Sequence, residues 1–90
     1  MKIRMRYVFT GSVQCVGFRF RAYHAAQLLG LTGWVRNESD GSVTMEVQGK
    51  RNGIRAMLEM IEKSPYISID HMDARELSAV PEESSFEIRD

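Results

Sequence analysis

Ile3, Met5, Tyr7 and Phe9 recur at every second position near the N-terminus, with Lys2, Arg4 and Arg6 between them. Period two with alternating charge predicts a half-buried strand running to about Val13. Gln14 to Phe18 has no periodicity and contains Gly17, so it reads as a loop. Ala22, Ala25, Ala26 and Leu29 then follow the i, i+3, i+4, i+7 spacing of one helix face, and Gly30 sits where a C-terminal cap belongs. Leu31 to Asn37 has strand character, and Asp40-Gly41 is a hairpin turn signal. Val43, Met45 and Val47 alternate with Thr44, Glu46 and Gln48, giving the return strand, which ends at Gln48-Gly49. Asn52-Gly53 marks a loop or an early helix boundary. Ile54, Met57, Leu58 and Ile61 repeat the helical spacing, and Ser64-Pro65 stops it. Ile67 to about Leu77 is strand-like with a poorer pattern. Val80 to Ser85 is a polar turn, and Phe86 and Ile88 alternate in a short last strand.

The order is therefore βαββαβ with a short extra C-terminal strand. Each half carries a strand and a helix whose apolar faces need covering. Two helices on one face of an antiparallel sheet satisfy both, which predicts an α+β, ferredoxin-like sandwich over another small α+β topology. The 90 residues fit one domain, 1–90.

Charge narrows the function. Lys plus Arg is 12 and Asp plus Glu is 12, a formal net charge of zero, which argues against a general nucleic-acid binder. Cys15 is the single cysteine, which rules out an internal disulfide. The two histidines, His24 and His71, give no zinc spacing, so no metal site is expected. The N-terminus has no unbroken apolar run of the kind a signal peptide requires, and no stretch approaches a membrane span. A cytoplasmic protein with no membrane partner is the expectation.

The loop Gly11 to Arg19 is the most informative segment, because it opens directly into a helix N-terminus. There the first backbone N–H groups have no intrahelical partner and the helix dipole is positive, which suits an anion. Arg19 falls at the helix start, where a planar guanidinium adds a bidentate phosphate contact. An arginine in such a loop is also often merely solvated.

This segment, Gly11-Ser12-Val13-Gln14-Cys15-Val16-Gly17-Phe18-Arg19, resembles the first signature of the acylphosphatases, Gly-x-Val-Gln-Gly-Val-x-Phe-Arg. A second signature is similar too: Gly30-Leu31-Thr32-Gly33-Trp34-Val35-Arg36-Asn37, then Asp40-Gly41-Ser42-Val43 and Gln48-Gly49. The family's Phe-x-Ile-Arg ending matches Phe86-Glu87-Ile88-Arg89, so the resemblance covers essentially the whole chain. It implies a hydrolase that splits acyl phosphates into carboxylate and inorganic phosphate without metal, cofactor or covalent intermediate. By the same resemblance Arg19 binds the phosphate, Asn37 orients the attacking water, and the backbone of Gln14, Cys15, Val16, Gly17, Phe18 and Arg19 cradles the phosphoryl oxygens. A small-molecule acyl phosphate is then the partner, and a monomer is expected.

The chain departs from the family at Cys15, where the family has glycine. If the position needs a positive φ, a side chain there strains the cradle, and an inactive or weakly active phosphate-binding relative becomes the alternative. Cys15 and Arg21 also have the Cys-x5-Arg spacing of cysteine-dependent phosphatases, although those enzymes use parallel α/β sheets on longer chains. An RNA-binding sheet is disfavoured, since Tyr7 and Phe9 alternate with core residues. Acylphosphatase-like modules that open larger carbamoyl-transferring proteins form a further reading. Taken singly, Asn37 reads as a turn residue, Trp34 as packing, and His24 and His71 as ordinary surface and strand positions.

Overall fold

The alternation at the N-terminus does form a strand, β1 (Ile3–Ser12). It is followed by α1 (Phe18–Leu29), β2 (Thr32–Asn37), β3 (Val43–Gly49), α2 (Arg51–Glu62), β4 (Ser68–Leu77) and β5 (Phe86–Arg89). The structure, a computed structural model, describes residues 1–89. The strands form one sheet in the order β4-β1-β3-β2-β5. Pairings β1–β3, β1–β4 and β2–β3 are antiparallel. β5 adds alongside β2 in parallel, so the full sheet is mixed.

Register assigns the two faces. Tyr7 lies opposite Met45, Phe9 opposite Val43, and Val35 opposite Met45, so these side chains share one face. They form a single core with Phe18, Ala22, Ala25 and Ala26 of α1 and Ile54, Met57 and Ile61 of α2. The small alanines of α1 bring that helix close to the sheet. Phe9 and Phe18 meet with ring centroids 4.8 Å apart, which ties the start of α1 to β1.

Two local expectations are corrected, at Phe18 and Arg4, and two are made more definite. Phe18 is not a loop residue but the first residue of α1, drawn in because its ring is 2 % exposed in the core. Asn52-Gly53 lies inside the first turn of α2, where Gly53 leaves room for the Leu31 side chain. Asp40-Gly41 lies, as expected, in the hairpin turn between β2 and β3, which is longer than two residues. The Gly41 N–H donates to the Glu38 carbonyl (3.2 Å) and the Glu38 N–H to the Ser42 carbonyl (2.8 Å), closing a longer loop. Arg4, on the polar side of β1, is 4 % exposed rather than solvated. It pairs with Glu46 (2.9 Å) and Glu83 (2.8 Å), and Glu83 comes from the segment crossing the helix-free face. Burial opposes its charge, but the hydrogen bonds and attraction of Glu83 and Glu46 outweigh it and hold the Arg4 pKa above its ordinary value.

Trp34 also faces away from the helices, as its pairing with Glu46 requires. It is buried, and the guanidinium groups of Arg36 and Arg89 lie over its ring at 5.2 and 5.0 Å from the centroid.

Candidate active site at the first strand–helix loop

A register shift between Thr10 and Gly11 marks the end of regular β1–β4 pairing. A Cβ on Gly11 would run into the Ser68 carbonyl and the Asp70 amide of β4, so only glycine lets the strand bend here. Buried Val13 anchors the outgoing chain. Gly17, at φ 81°, is the N-cap of α1 and turns the chain into the helix. The first intrahelical bond runs from the Arg21 N–H to the Gly17 carbonyl at 2.9 Å. Helix geometry therefore leaves the N–H groups of Phe18, Arg19 and Phe20 without an intrahelical acceptor. No acidic side chain sits in the first turn to occupy them.

These groups border a cleft of about 180 Å³ lined by Val13, Cys15, Gly17, Phe18, Arg19, Phe20, Asn37 and Ile88. Arg19 reaches it from the first turn of α1. Asn37 reaches it as the last residue of β2, held in register opposite Val43. Two residues far apart in sequence thus meet at one opening. Of the expected loop residues, Cys15, Gly17, Phe18 and Arg19 line the cleft, whereas the Gln14 and Val16 side chains do not. Val16 packs against the core. Phe20 and Ile88 join the lining without having been singled out by sequence. Ile88 belongs to the Phe86-Glu87-Ile88-Arg89 ending, and its position beside Val35 follows from parallel pairing that the pattern of one short strand does not disclose.

The Gln14 amide turns toward the β2–β3 loop. Its Nε2 donates to the carbonyls of Glu38 (2.7 Å) and Ser42 (2.9 Å). Both amide protons are used, and they fasten the Gln14–Arg19 loop to the hairpin that begins at Asn37. The hairpin is itself braced. The Ser42 hydroxyl (2.6 Å) and N–H (2.9 Å) donate to Asp40 Oδ1, and Arg36 Nε donates to Glu38 Oε2 (3.1 Å). A hydrogen bond from Thr44, then that of Arg36, holds the Glu38 carboxyl below its ordinary pKa. Hydrogen bonds from Ser42 do the same for Asp40.

Cys15 lies exposed at the mouth of the loop with φ 60°, the left-handed region favoured by glycine. Arg21 does not join it. Its Nε donates to the Met60 carbonyl at 2.7 Å, bridging α1 to α2 outside the cleft. The Cys-x5-Arg spacing therefore does not build a thiolate–arginine phosphate site. Among the described residues no group of three or more His, Cys, Asp or Glu side chains is placed to hold a metal ion.

Comparison with known proteins decides the lineage. The sequence profile of the acylphosphatase family matches residues 5–88. The chain belongs to the acylphosphatase family. It is 41% identical over 81 residues to the acylphosphatase of Oceanobacillus iheyensis, covering 88% of this chain and 89% of that one. The crystal structure of the acylphosphatase from Bacillus subtilis superposes with a TM-score of 0.87 at 28% identity, covering 97% of this chain and 98% of that one. Full-length HypF, solved in a phosphate- and nucleotide-bound form, is similar over 100% of this chain but 12% of its own, with a TM-score of 0.88 and 32% identity.

Proposed function

We propose that this acylphosphatase-family hydrolase cleaves the carboxyl–phosphate bond of acyl phosphates at the cleft between the Gln14–Arg19 loop and Asn37. The single observation that carries the reading is that Arg19, the open α1 N-terminus and Asn37 border one small cleft. Water attacks phosphorus, the bond from phosphorus to the acyl oxygen breaks, and the carboxylate leaves with the electron pair. The proton lost by the water ends on phosphate or solvent.

A carboxylate is a good leaving group, so catalysis needs placement and charge stabilisation more than acid–base work. The Arg19 guanidinium presents two parallel N–H donors to the phosphoryl oxygens. The first-turn N–H groups add fixed donors that need no reorganisation as charge shifts in the transition state. The Asn37 carboxamide can accept a hydrogen bond from the attacking water while its NH2 donates another, which fixes the direction of the water. The chain works in this reading as one domain and as a monomer, in the cytoplasm.

A phosphate-binding module with little turnover is the competing reading, and Cys15 at φ 60° is the observation in its favour. Hydrolysis of benzoyl phosphate by the purified protein, with a chelator present, separates the two. Turnover that persists in chelator and disappears in Arg19→Ala supports the hydrolase. A folded protein that binds phosphate and releases none from benzoyl phosphate supports the module.

A further inference from the structure

Beside the cleft, and sharing Gly17 and Phe20 with it, a second and larger depression of about 580 Å³ runs between α1 and the end of α2. That volume lies within the usual span of small-molecule sites. Val16, Phe20, Met60 and Tyr66 supply its apolar walls. Phe20 and Tyr66 are 64% and 74% exposed, so the core does not account for them. The depression is built rather than incidental. The Arg21–Met60 hydrogen bond clamps the two helices beneath it, and the His24 ring meets Phe20 edge-on at 4.3 Å.

We propose that this groove receives the acyl group, and that the preferred substrates are acyl phosphates with an extended apolar chain rather than an acetyl-sized group. The inference rests on the hydrolase reading of the cleft. A phosphoryl group held by the α1 N-terminus must point its acyl substituent outward, and Gly17 and Phe20 form the shared border across which it enters the groove. Gly17 has no side chain to obstruct that passage, and a Cβ there would still meet nothing within 4 Å. The groove offers such a chain aromatic and thioether contacts, while Lys63 and His24 complete its lining. Binding energy gathered there, remote from phosphorus, is available to hold the phosphoryl group in line for attack.

Fully burying one methylene is worth about fourfold in an equilibrium constant. A groove with one side open returns roughly half of that in free energy, or about twofold per methylene. The test is kcat/KM on acetyl, butyryl, hexanoyl and octanoyl phosphate for the wild type, Tyr66→Ser and Leu28→Ser. Leu28 is an equally exposed apolar residue of α1 outside the groove. The wild type and Leu28→Ser should favour octanoyl over acetyl phosphate by about tenfold or more. Tyr66→Ser should keep its acetyl phosphate rate and lose most of that preference.

Equal kcat/KM along the series, in a protein that turns over acetyl phosphate, overturns the groove assignment and leaves the hydrolase reading standing. So does a preference for an acyl chain ending in carboxylate over its alkyl counterpart, which would give the groove to an anion through Lys63. A concentration-dependent dimer that Tyr66→Ser abolishes would give it to a second copy, with the same consequence. Absence of turnover on every acyl phosphate instead overturns the hydrolase reading. The groove is then judged by binding of n-octylphosphonate against methylphosphonate, where a tighter octyl ligand in the wild type but not in Tyr66→Ser upholds it and equal binding overturns it.

Discussion

At Cys15 a side chain occupies a backbone conformation that glycine adopts freely, with φ 60°. The left-handed region costs a residue with a Cβ about 1–2 kcal/mol. Glycine removes that cost but gives back roughly 0.5–1 kcal/mol through the greater freedom of the unfolded chain. The difference favours glycine modestly. Cys15→Gly should therefore raise the melting temperature by a few degrees, since about 1 kcal/mol moves a domain of this size by roughly 4–8 °C. The thiol lines the cleft without a described role in the reaction, so benzoyl phosphate turnover in Cys15→Gly should equal or exceed the wild type. Thermal denaturation and initial rates check the two halves of this expectation. Complete loss of turnover would make the thiol a participant.

At the scale of elements, the proposed catalysis depends on how the Gln14–Arg19 loop is held against the β2–β3 hairpin. Gln14 makes that connection through two hydrogen bonds to main-chain carbonyls. Gln14→Ala removes both bonds, although each carbonyl keeps its hairpin N–H donor, and it frees the loop to move relative to Asn37. It should cost about 1–3 kcal/mol of stability. It should also lower kcat by about tenfold or more, because small misplacements of reacting groups are expensive. A purely structural role would move the melting temperature and spare kcat, so the two readouts together decide.

The hairpin also sets a pH dependence. Glu38 and Asp40 have folded pKa values below their ordinary 4.5 and 3.8, so the unfolded chain binds more protons in the window just beneath those values. Their contribution to stability is complete above the ordinary values and is lost as pH falls through the lowered ones. Both carboxylates are solvent-accessible, which keeps the effect small. Denaturant midpoints measured from pH 6 down to pH 2 should decline only below about pH 4.5, and Asp40→Asn should flatten part of that decline.

At the scale of the whole molecule, the order of elements and the helix-facing half of the core were legible, because Tyr7, Phe9, Val43, Met45 and Val47 alternate cleanly and Ile54, Met57 and Ile61 follow one helix stripe. The other face of the sheet was not. Arg4 looks solvated in sequence, and it becomes buried only when Glu46 and Glu83 arrive from segments distant in the chain. The Gln48 amide is concealed in the same way: it receives the Val80 N–H at 2.7 Å and donates to the Val80 carbonyl at 2.9 Å, pinning the crossing segment as a strand neighbour would. At the site, Arg19 and Asn37 stood out only within their motifs, since neither residue type at its own position demands a function. Phe20 and Ile88 carried no signal of a place in the cleft, because that place comes from the packing of α1 and the parallel pairing of β5.

The central claim is the division of labour between Arg19 and Asn37, and it is tested most directly by measuring phosphate affinity and benzoyl phosphate turnover together in Arg19→Ala and Asn37→Ala. The account predicts that Arg19→Ala loses both. Asn37→Ala should keep phosphate affinity within about twofold while kcat falls by roughly a hundredfold or more, as expected for a group that acts on the attacking water. Phosphate affinity retained in Arg19→Ala, or lost in Asn37→Ala along with turnover, would contradict it.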